Sequence, residues 1–146
     1  MIDIRPLKSS DQAAWNDLYA SYATFYGVSQ TEQMRAKVWE WLMGPQHEVN
    51  GLIAVQNGIA VGLAHFRPFA RPLAASTGGF LDDLFVAQEA RGLGAAAALI
   101  RAVEAEGRAR GWSVIRWITA QDNERARALY DKLAAHTTWQ TYDIKL

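Results

Sequence analysis

The chain has 146 residues, half of them hydrophobic, which suits one domain over residues 1–146 with a sizeable core. Fifteen Lys and Arg balance 15 Asp and Glu, so no broad basic field exists for nucleic acid or a membrane surface. The absence of cysteine excludes disulfides, a cysteine nucleophile and thiolate metal ligands, and three scattered histidines argue against zinc, so no metal is expected.

The opening Met-Ile-Asp-Ile-Arg lacks a signal peptide's basic start and apolar run, and no stretch of about 20 apolar residues is present; a cytoplasmic location is expected. Ile2, Ile4 and Leu7 alternate with Asp3 and Arg5, predicting a half-buried strand that ends near Pro6. A helix follows, capped by Ser10 or Asp11, with Ala14, Trp15, Leu18, Tyr19 and Tyr22 at helical spacing until Gly27. Thr31, Glu32 and Gln33 start a second helix, whose apolar face is Met34, Val38, Trp41 and Leu42 and whose end is Gly44-Pro45. Leu52 to Val55 and Ile59 to Phe66 are apolar strand runs joined by Asn57-Gly58, a strong hairpin signal. Pro68 to Gly79, with its prolines, glycines and small residues, predicts a loop before a strand over 80–86.

A helix from about Gly92 to Arg110, stopped by Gly111, directs Leu99, Ile100 and Val103 to the core. Ser113 to Thr119 then reads as a strand parallel to 80–86, because a strand-helix-strand crossover favours parallel pairing. Asn123 to Ala134 predicts another helix, and Trp139 to Leu146 a closing strand. The order β-α-α-β-β-β-α-β-α-β describes an α/β fold: a mixed, twisted sheet with helices on both faces.

The strand-to-helix junction at 79–99 carries the most chemistry. Gly92 and Gly94 let the backbone bend sharply and approach a ligand, and the new helix offers unpaired N–H groups and the positive end of its dipole. Arg91 adds a positive charge there, and the alanines at 95–98 keep the first turn slim. Such a junction suits a phosphate, although glycines also occur at strand-to-helix turns for purely geometric reasons. Gly92-Leu93-Gly94-Ala95-Ala96-Ala97 also matches the dinucleotide pattern G-x-G-x-x-G/A, but that pattern belongs after a first strand and wants an acid about 20 residues on, which is missing here.

Read as Arg91-x-x-Gly94-x-Ala96, the same residues resemble the (R/Q)-x-x-G-x-(G/A) motif of the Gcn5-related N-acetyltransferases. Asn123-x-x-Ala126-x-x-x-Tyr130 is similar to the family's next motif, though by itself it also fits an ordinary amphipathic helix. The resemblance implies that acetyl-coenzyme A enters a V-shaped gap between strands 80–86 and 113–119. Its pantetheine would pair with backbone near Phe85 and Val86, and its pyrophosphate would rest on the amides of Arg91, Gly92, Leu93, Gly94, Ala95 and Ala96. Asn123 and Ala126 would flank the pantetheine arm, Tyr130 would protonate the departing thiolate, and a strand amide near Leu84 to Val86 would support the oxyanion.

Phe80-Leu81-Asp82-Asp83-Leu84-Phe85-Val86 and Val61-Gly62-Leu63-Ala64-His65-Phe66 are most similar to the diamine and spermidine/spermine branch of that family. Carried across, Asp82 is the base for the acceptor amine, directly or through water, and Asp83 binds the cationic acceptor. Asp82 stands where the branch usually has Glu, and Ala134 where the family commonly has Gly. Neighbouring residues on a regular strand point to opposite faces, so both acids reach one cleft only if the strand is bulged or splayed. Tyr26, from the first helix region, is an expected acceptor wall. His65 and His136 have no orienting partner in sequence and read as structural.

The expected function is therefore transfer of an acetyl group from acetyl-CoA to a primary amine of a small, cationic molecule. The partners expected are that acceptor and a second copy of the chain. The competing class is a non-catalytic acyl-CoA-binding sensor or scaffold.

Overall fold

The computed structural model describes residues 1–146. Strand β1 (Ile2–Pro6) leads through a 3-10 turn into α1 (Gln12–Phe25) and α2 (Glu32–Met43). A meander follows, β2 (Asn50–Gln56), β3 (Ile59–Arg71) and β4 (Ser76–Val86), and then α3 (Ala95–Ala109), β5 (Ile115–Arg116) and α4 (Glu124–Leu133). The sheet has the order β1-β2-β3-β4-β5, antiparallel except for the β4–β5 pair.

Each face of the sheet carries its own apolar layer. One face packs Leu52, Ala64, Phe66, Leu81 and Val86 against Leu99, Ile100 and Val103 of α3. The other packs Leu63 and Phe85 against Trp15, Leu18 and Tyr19 of α1 and Trp39 of α2. Adjacent strand residues alternate between these layers, which is why the strands of this doubly covered sheet are apolar on both sides.

Local chemistry accounts for the helix starts. Thr31 accepts a hydrogen bond from the Met34 N–H at 3.1 Å, fixing the first turn of α2. Asp11 does not cap α1. Its carboxylate instead accepts from both terminal nitrogens of Arg5, at 2.7 and 2.9 Å, and from the Lys8 N–H at 2.7 Å, tying β1 to the turn before the helix. Those bonds, the Arg5 contact above all, hold the Asp11 carboxyl at a pKa of about 2.

Four expectations change. Residues 68–79 are mostly strand rather than loop, with β3 running to Arg71 and β4 starting at Ser76. Pro68 is tolerated because β2 pairs with β3 only as far as Phe66, so beyond that residue β3 is an edge on that side and needs no ladder donor. Gly79 serves packing: a Cβ there would lie 2.3 Å from the Trp112 ring.

The crossover helix begins at Ala95, not Gly92, because Gly92 and Gly94 have φ of +83° and +89°, outside the right-handed helical region. The strand expected over 113–119 is parallel to β4 but pairs only at Gly79↔Ile115 and Phe80↔Arg116. Residues 139–146 form no strand: everything beyond Ala134 is exposed, and no hydrogen bond ties it to the rest of the chain. Their alternation fits a strand, but a strand exists only with a neighbour to complete its ladder.

Candidate active site

The loop between β4 and α3 forms an open amide cradle. No side chain caps α3 at Gly94, and the first bond of the helix is Ala98 N–H to Gly94 C=O at 3.0 Å, so the amides before it point outward without helical acceptors. Cβ atoms added at Gly92 or Gly94 would meet nothing within 4 Å, so the approach to the backbone there is open. Leu93 is exposed, Ala95 buried and Ala96 half-buried. Arg91 is turned back from the cradle: its Nε–H donates to the Val86 carbonyl at 3.3 Å and its guanidinium lies over the Phe25 ring at 4.9 Å.

Beside the cradle the parallel strands part. Pairing of β4 with β5 stops at Phe80, and the opening beyond it is lined by Leu81, Asp82 and Leu84 on one side and Trp117, Ile118 and Thr119 on the other, with Tyr22, Tyr26 and Tyr130. Ala87 N–H donates to Val61 C=O across β3 at 2.8 Å, and antiparallel alternation then turns the backbone groups of Val86 and Leu84 toward the gap. Phe85, opposite Leu63, directs its backbone to β3 and its ring to the α1 face. The strand edge offered to an extended ligand is thus Leu84 and Val86.

The two acids sit at a break in register. Asp83 opposes His65 and Leu81 opposes Phe66, leaving Asp82 as the extra residue of a β-bulge. The bulge gives the neighbours different surroundings. Asp82 lines the gap and receives Arg67 through two bonds, at 2.9 and 3.2 Å. Burial pushes its carboxyl above the ordinary value, against the opposing pull of Arg67.

Asp83 faces α1. Its Oδ2 accepts from Tyr19 Oη at 3.0 Å and from His65 Nδ1 at 2.8 Å, while His65 Nε2 lies 2.9 Å from the Trp15 indole nitrogen. An indole N–H can only donate, so His65 Nε2 accepts and its proton lies on Nδ1, directed at Asp83. Burial alone would raise the Asp83 pKa, but the bond and electrostatic attraction of His65, followed by the bonds from Tyr19 and Tyr22, outweigh it and hold the carboxyl below its ordinary value.

Tyr130 stands on α4, its ring 5.4 Å from that of Trp117. Burial, with a smaller contribution from Tyr26, pushes its hydroxyl up to about 12, so it carries its proton throughout the neutral range. Asn123, at the start of α4, has its amide nitrogen 3.5 Å from both Tyr26 Oη and Thr119 Oγ1. Ala126 is half-buried one turn further on.

The fold therefore brings Asp82, Tyr26 and Tyr130 to one cleft and sets Asp83 behind it. Sequence reasoning missed His65, Tyr19 and Arg67 as partners of the acids, and Trp15 as the partner of His65. A polar histidine inside an apolar run, Leu63-Ala64-His65-Phe66, was the available signal, since a buried imidazole needs partners.

A splayed parallel pair beside an uncapped helix start defines a site for a long ligand with an anionic head. Residues 15–135 match the acetyltransferase (GNAT) family, and the chain belongs to that family. The D-amino-acid N-acetyltransferase HPA3 of Saccharomyces cerevisiae is 26% identical over 138 residues, 93% of this chain and 86% of that protein. The uncharacterized N-acetyltransferase YhfO of Bacillus subtilis is 30% identical over 131 residues, 90% of this chain and 87% of that one.

Among solved structures, the ribosomal-protein-alanine N-acetyltransferase of Brucella melitensis biovar Abortus 2308 is 27% identical with a TM-score of 0.82, covering 100% of this chain and 99% of its own. AAC(6')-Iy, in complex with the bisubstrate analogue CoA-S-monomethyl-acetylneamine, has a TM-score of 0.87 at 20% identity, covering 100% of this chain and 98% of its own, a likeness of fold. The protein is an acetyl-CoA-dependent N-acetyltransferase.

Proposed function

We propose that the chain, acting as a single domain, moves the acetyl group of acetyl-CoA to the primary amine of a small cationic acceptor by direct attack. The observation that carries this reading is the pair of carboxylates at the β4 bulge, with opposite environments beside the gap and Tyr130. An amine is mostly protonated at neutral pH and must be both attracted and deprotonated. Asp83, held ionised by its donors, supplies a fixed negative potential. Asp82, with its raised pKa, takes the ammonium proton directly or through one water.

The freed lone pair then attacks the thioester carbon to give a tetrahedral adduct with a cationic nitrogen; the C–S bond breaks, the departing thiolate takes the Tyr130 phenolic proton, and the second proton lost from nitrogen returns through water to the Tyr130 phenolate, leaving a neutral amide and free coenzyme A. Pantetheine would lie along the backbone edge of Leu84 and Val86 with Asn123 and Ala126 beside it. The pyrophosphate would rest on the amides from Arg91 to Ala96, among them Gly92, Leu93, Gly94 and Ala95. An amide of the gap edge would face the oxyanion. Tyr26 forms part of the acceptor wall.

Residues 61–66 and 80–86 support the diamine and polyamine type of acceptor, and the yeast relative adds amino acids to the candidates. A cytoplasmic location belongs to the same proposal and rests on the cysteine-free composition and the need for acetyl-CoA. A homodimer belongs to it too, supported by the exposed apolar C-terminal segment.

The test is thiol release from acetyl-CoA with polyamines, diamines, both enantiomers of amino acids and aminoglycosides, run beside calorimetric titration of the coenzyme. Saturable release with a cationic amine is expected. Coenzyme binding without release on any amine would establish a sensor instead, and absence of coenzyme binding would overturn the cradle and gap assignment.

A further inference from the structure

Beside Asp82 the sheet carries a group of cations that the proposed reaction does not use. Alternation along β3 turns Phe66 into the α3 layer and Arg67, Phe69 and Arg71 to the opposite face, where the register brings Phe80 of β4 opposite Arg67 and Arg116 of β5 opposite Phe80. The contacts run unbroken across three strands. Arg67 pairs with Asp82 at 2.9 Å and lies over the Phe80 ring at 5.2 Å, the Phe80 and Phe69 rings meet edge to face at 6.1 Å, and the Arg116 guanidinium lies over Phe69 at 5.4 Å. A Cβ at Gly78 would lie 2.8 Å from the Phe69 ring and 3.0 Å from Arg71 Cδ, so Phe69 and the Arg71 stem lie together over that glycine.

Three guanidiniums thus share one face, and Asp82 is the one carboxylate among these contacts. It takes up Arg67. Arg71 donates from one nitrogen to Ser113 Oγ at 2.7 Å, and neither Arg71 nor Arg116 forms an ion pair. A guanidinium stacked on a ring is held in plane with its N–H edge outward, and that edge fits a carboxylate through two parallel hydrogen bonds.

We infer that Arg116, with Arg71 beside it, forms a subsite for a carboxylate carried by the amine acceptor, whose ammonium goes to Asp82 and Asp83. This rests on the acetyl-transfer reading above and adds a second recognised group to its acceptor. Without a cation at that place, Asp82 and Asp83 would repel any acceptor bearing a carboxylate. Asp82 lies two residues beyond Phe80, roughly 7 Å along the strand, and Arg116 one strand spacing, about 5 Å, across from Phe80. That span suits an amine and a carboxylate joined by a short aliphatic chain, as in a diamino acid acetylated on its side-chain amine. Such an acceptor keeps a net positive charge. A polyanion is a poorer occupant, since the face holds two unpaired guanidiniums and the chain has no net charge.

Lysine, lysinamide and cadaverine test the subsite, because they present a primary amine on the same aliphatic chain and differ at the carboxylate. Thiol release should give lysine a kcat/KM about tenfold or more above the other two, expressed in KM. Arg116→Gln should abolish that preference and Arg116→Glu should invert it. Arg116 is exposed, so neither change disturbs the core, and circular dichroism checks this. Calorimetry of the same three ligands on the protein loaded with coenzyme A reads the subsite without turnover. Tighter lysine binding that is lost in Arg116→Gln, with no thiol released on any amine, would keep the subsite and discard the transfer reading. Equal or better binding and use of cadaverine, absence of lysine binding, or a lysine preference that survives both Arg116→Gln and Arg71→Gln would overturn the subsite while leaving the transfer reading to its own assay.

Discussion

On the function proposed above, the two sides of the β4 strand build their halves of the site from different materials. Toward α3 and the gap, the functional groups are mainly backbone: the uncapped amides after Gly94 and the edges of Leu84 and Val86. Toward α1 they are side chains in a chain of contacts, Trp15 to His65 to Asp83, with Tyr19 beside them. A backbone site tolerates most substitutions that preserve φ and ψ, whereas a buried side-chain network leaves a polar atom unsatisfied when any member is lost. The coenzyme half should therefore be robust to side-chain change and the acceptor half sensitive to it.

The largest effect is expected at Tyr130, where the two halves meet. Tyr130→Phe should lower kcat by about 100-fold or more, the usual worth of a positioned proton donor, while calorimetry shows coenzyme affinity little changed. Equal loss of both would mean that Tyr130 builds the gap rather than donating a proton. Next comes Gly94→Val. At φ +89° a β-branched residue is strained by about 1–2 kcal/mol even in open space, and the cradle amides would be reoriented. Coenzyme affinity should fall by about tenfold, with acceptor KM nearly unchanged at saturating coenzyme.

Asp83→Asn probes the opposite half. Acceptor KM should rise by about tenfold for cationic amines, as expected for loss of one screened charge contact, with coenzyme affinity intact. It should also change stability with pH. The folded-state pKa of Asp83 lies below its ordinary value of 3.8, so its ionised form contributes stability that is complete above that value and is lost as pH falls through the lowered one. Denaturant titrations below pH 4 should show a shallower acid loss in the Asn variant than in the wild type.

The smallest effect belongs to Arg67→Ala. The Arg67–Asp82 pair is about one-third exposed on each side, so stability should change by no more than about 1 kcal/mol. Removing the cation should, however, raise the Asp82 pKa further and move the acidic limb of the kcat/KM profile to higher pH. An unmoved limb would point to water or another group as the base.

Legibility in the sequence followed the range of the interactions. Gly92 and Gly94, the hairpin at Asn57-Gly58 and the motif from Asn123 to Tyr130 could be read because a turn or a helix start is decided within a few residues. The 68–79 segment was misread because proline and glycine signal turns locally, while their acceptance here depends on a missing neighbour strand and on the Trp112 ring. His65 showed no partner in sequence because Asp83 and Trp15 lie 18 and 50 residues away.

The sequence by itself determined the order of the main elements, the apolar layers on both sheet faces, and the glycine-shaped start of α3, since side-chain period and backbone permissiveness are properties of neighbouring residues. Only the tertiary structure decided that Asp82 is the bulged residue and Asp83 the buried anion, that β5 parts from β4 after Phe80, and that residues 135–146 find no strand in their own chain. Register, burial and strand pairing depend on distant segments meeting, and a one-residue offset between β3 and β4 is what gives two adjacent aspartates different chemistry.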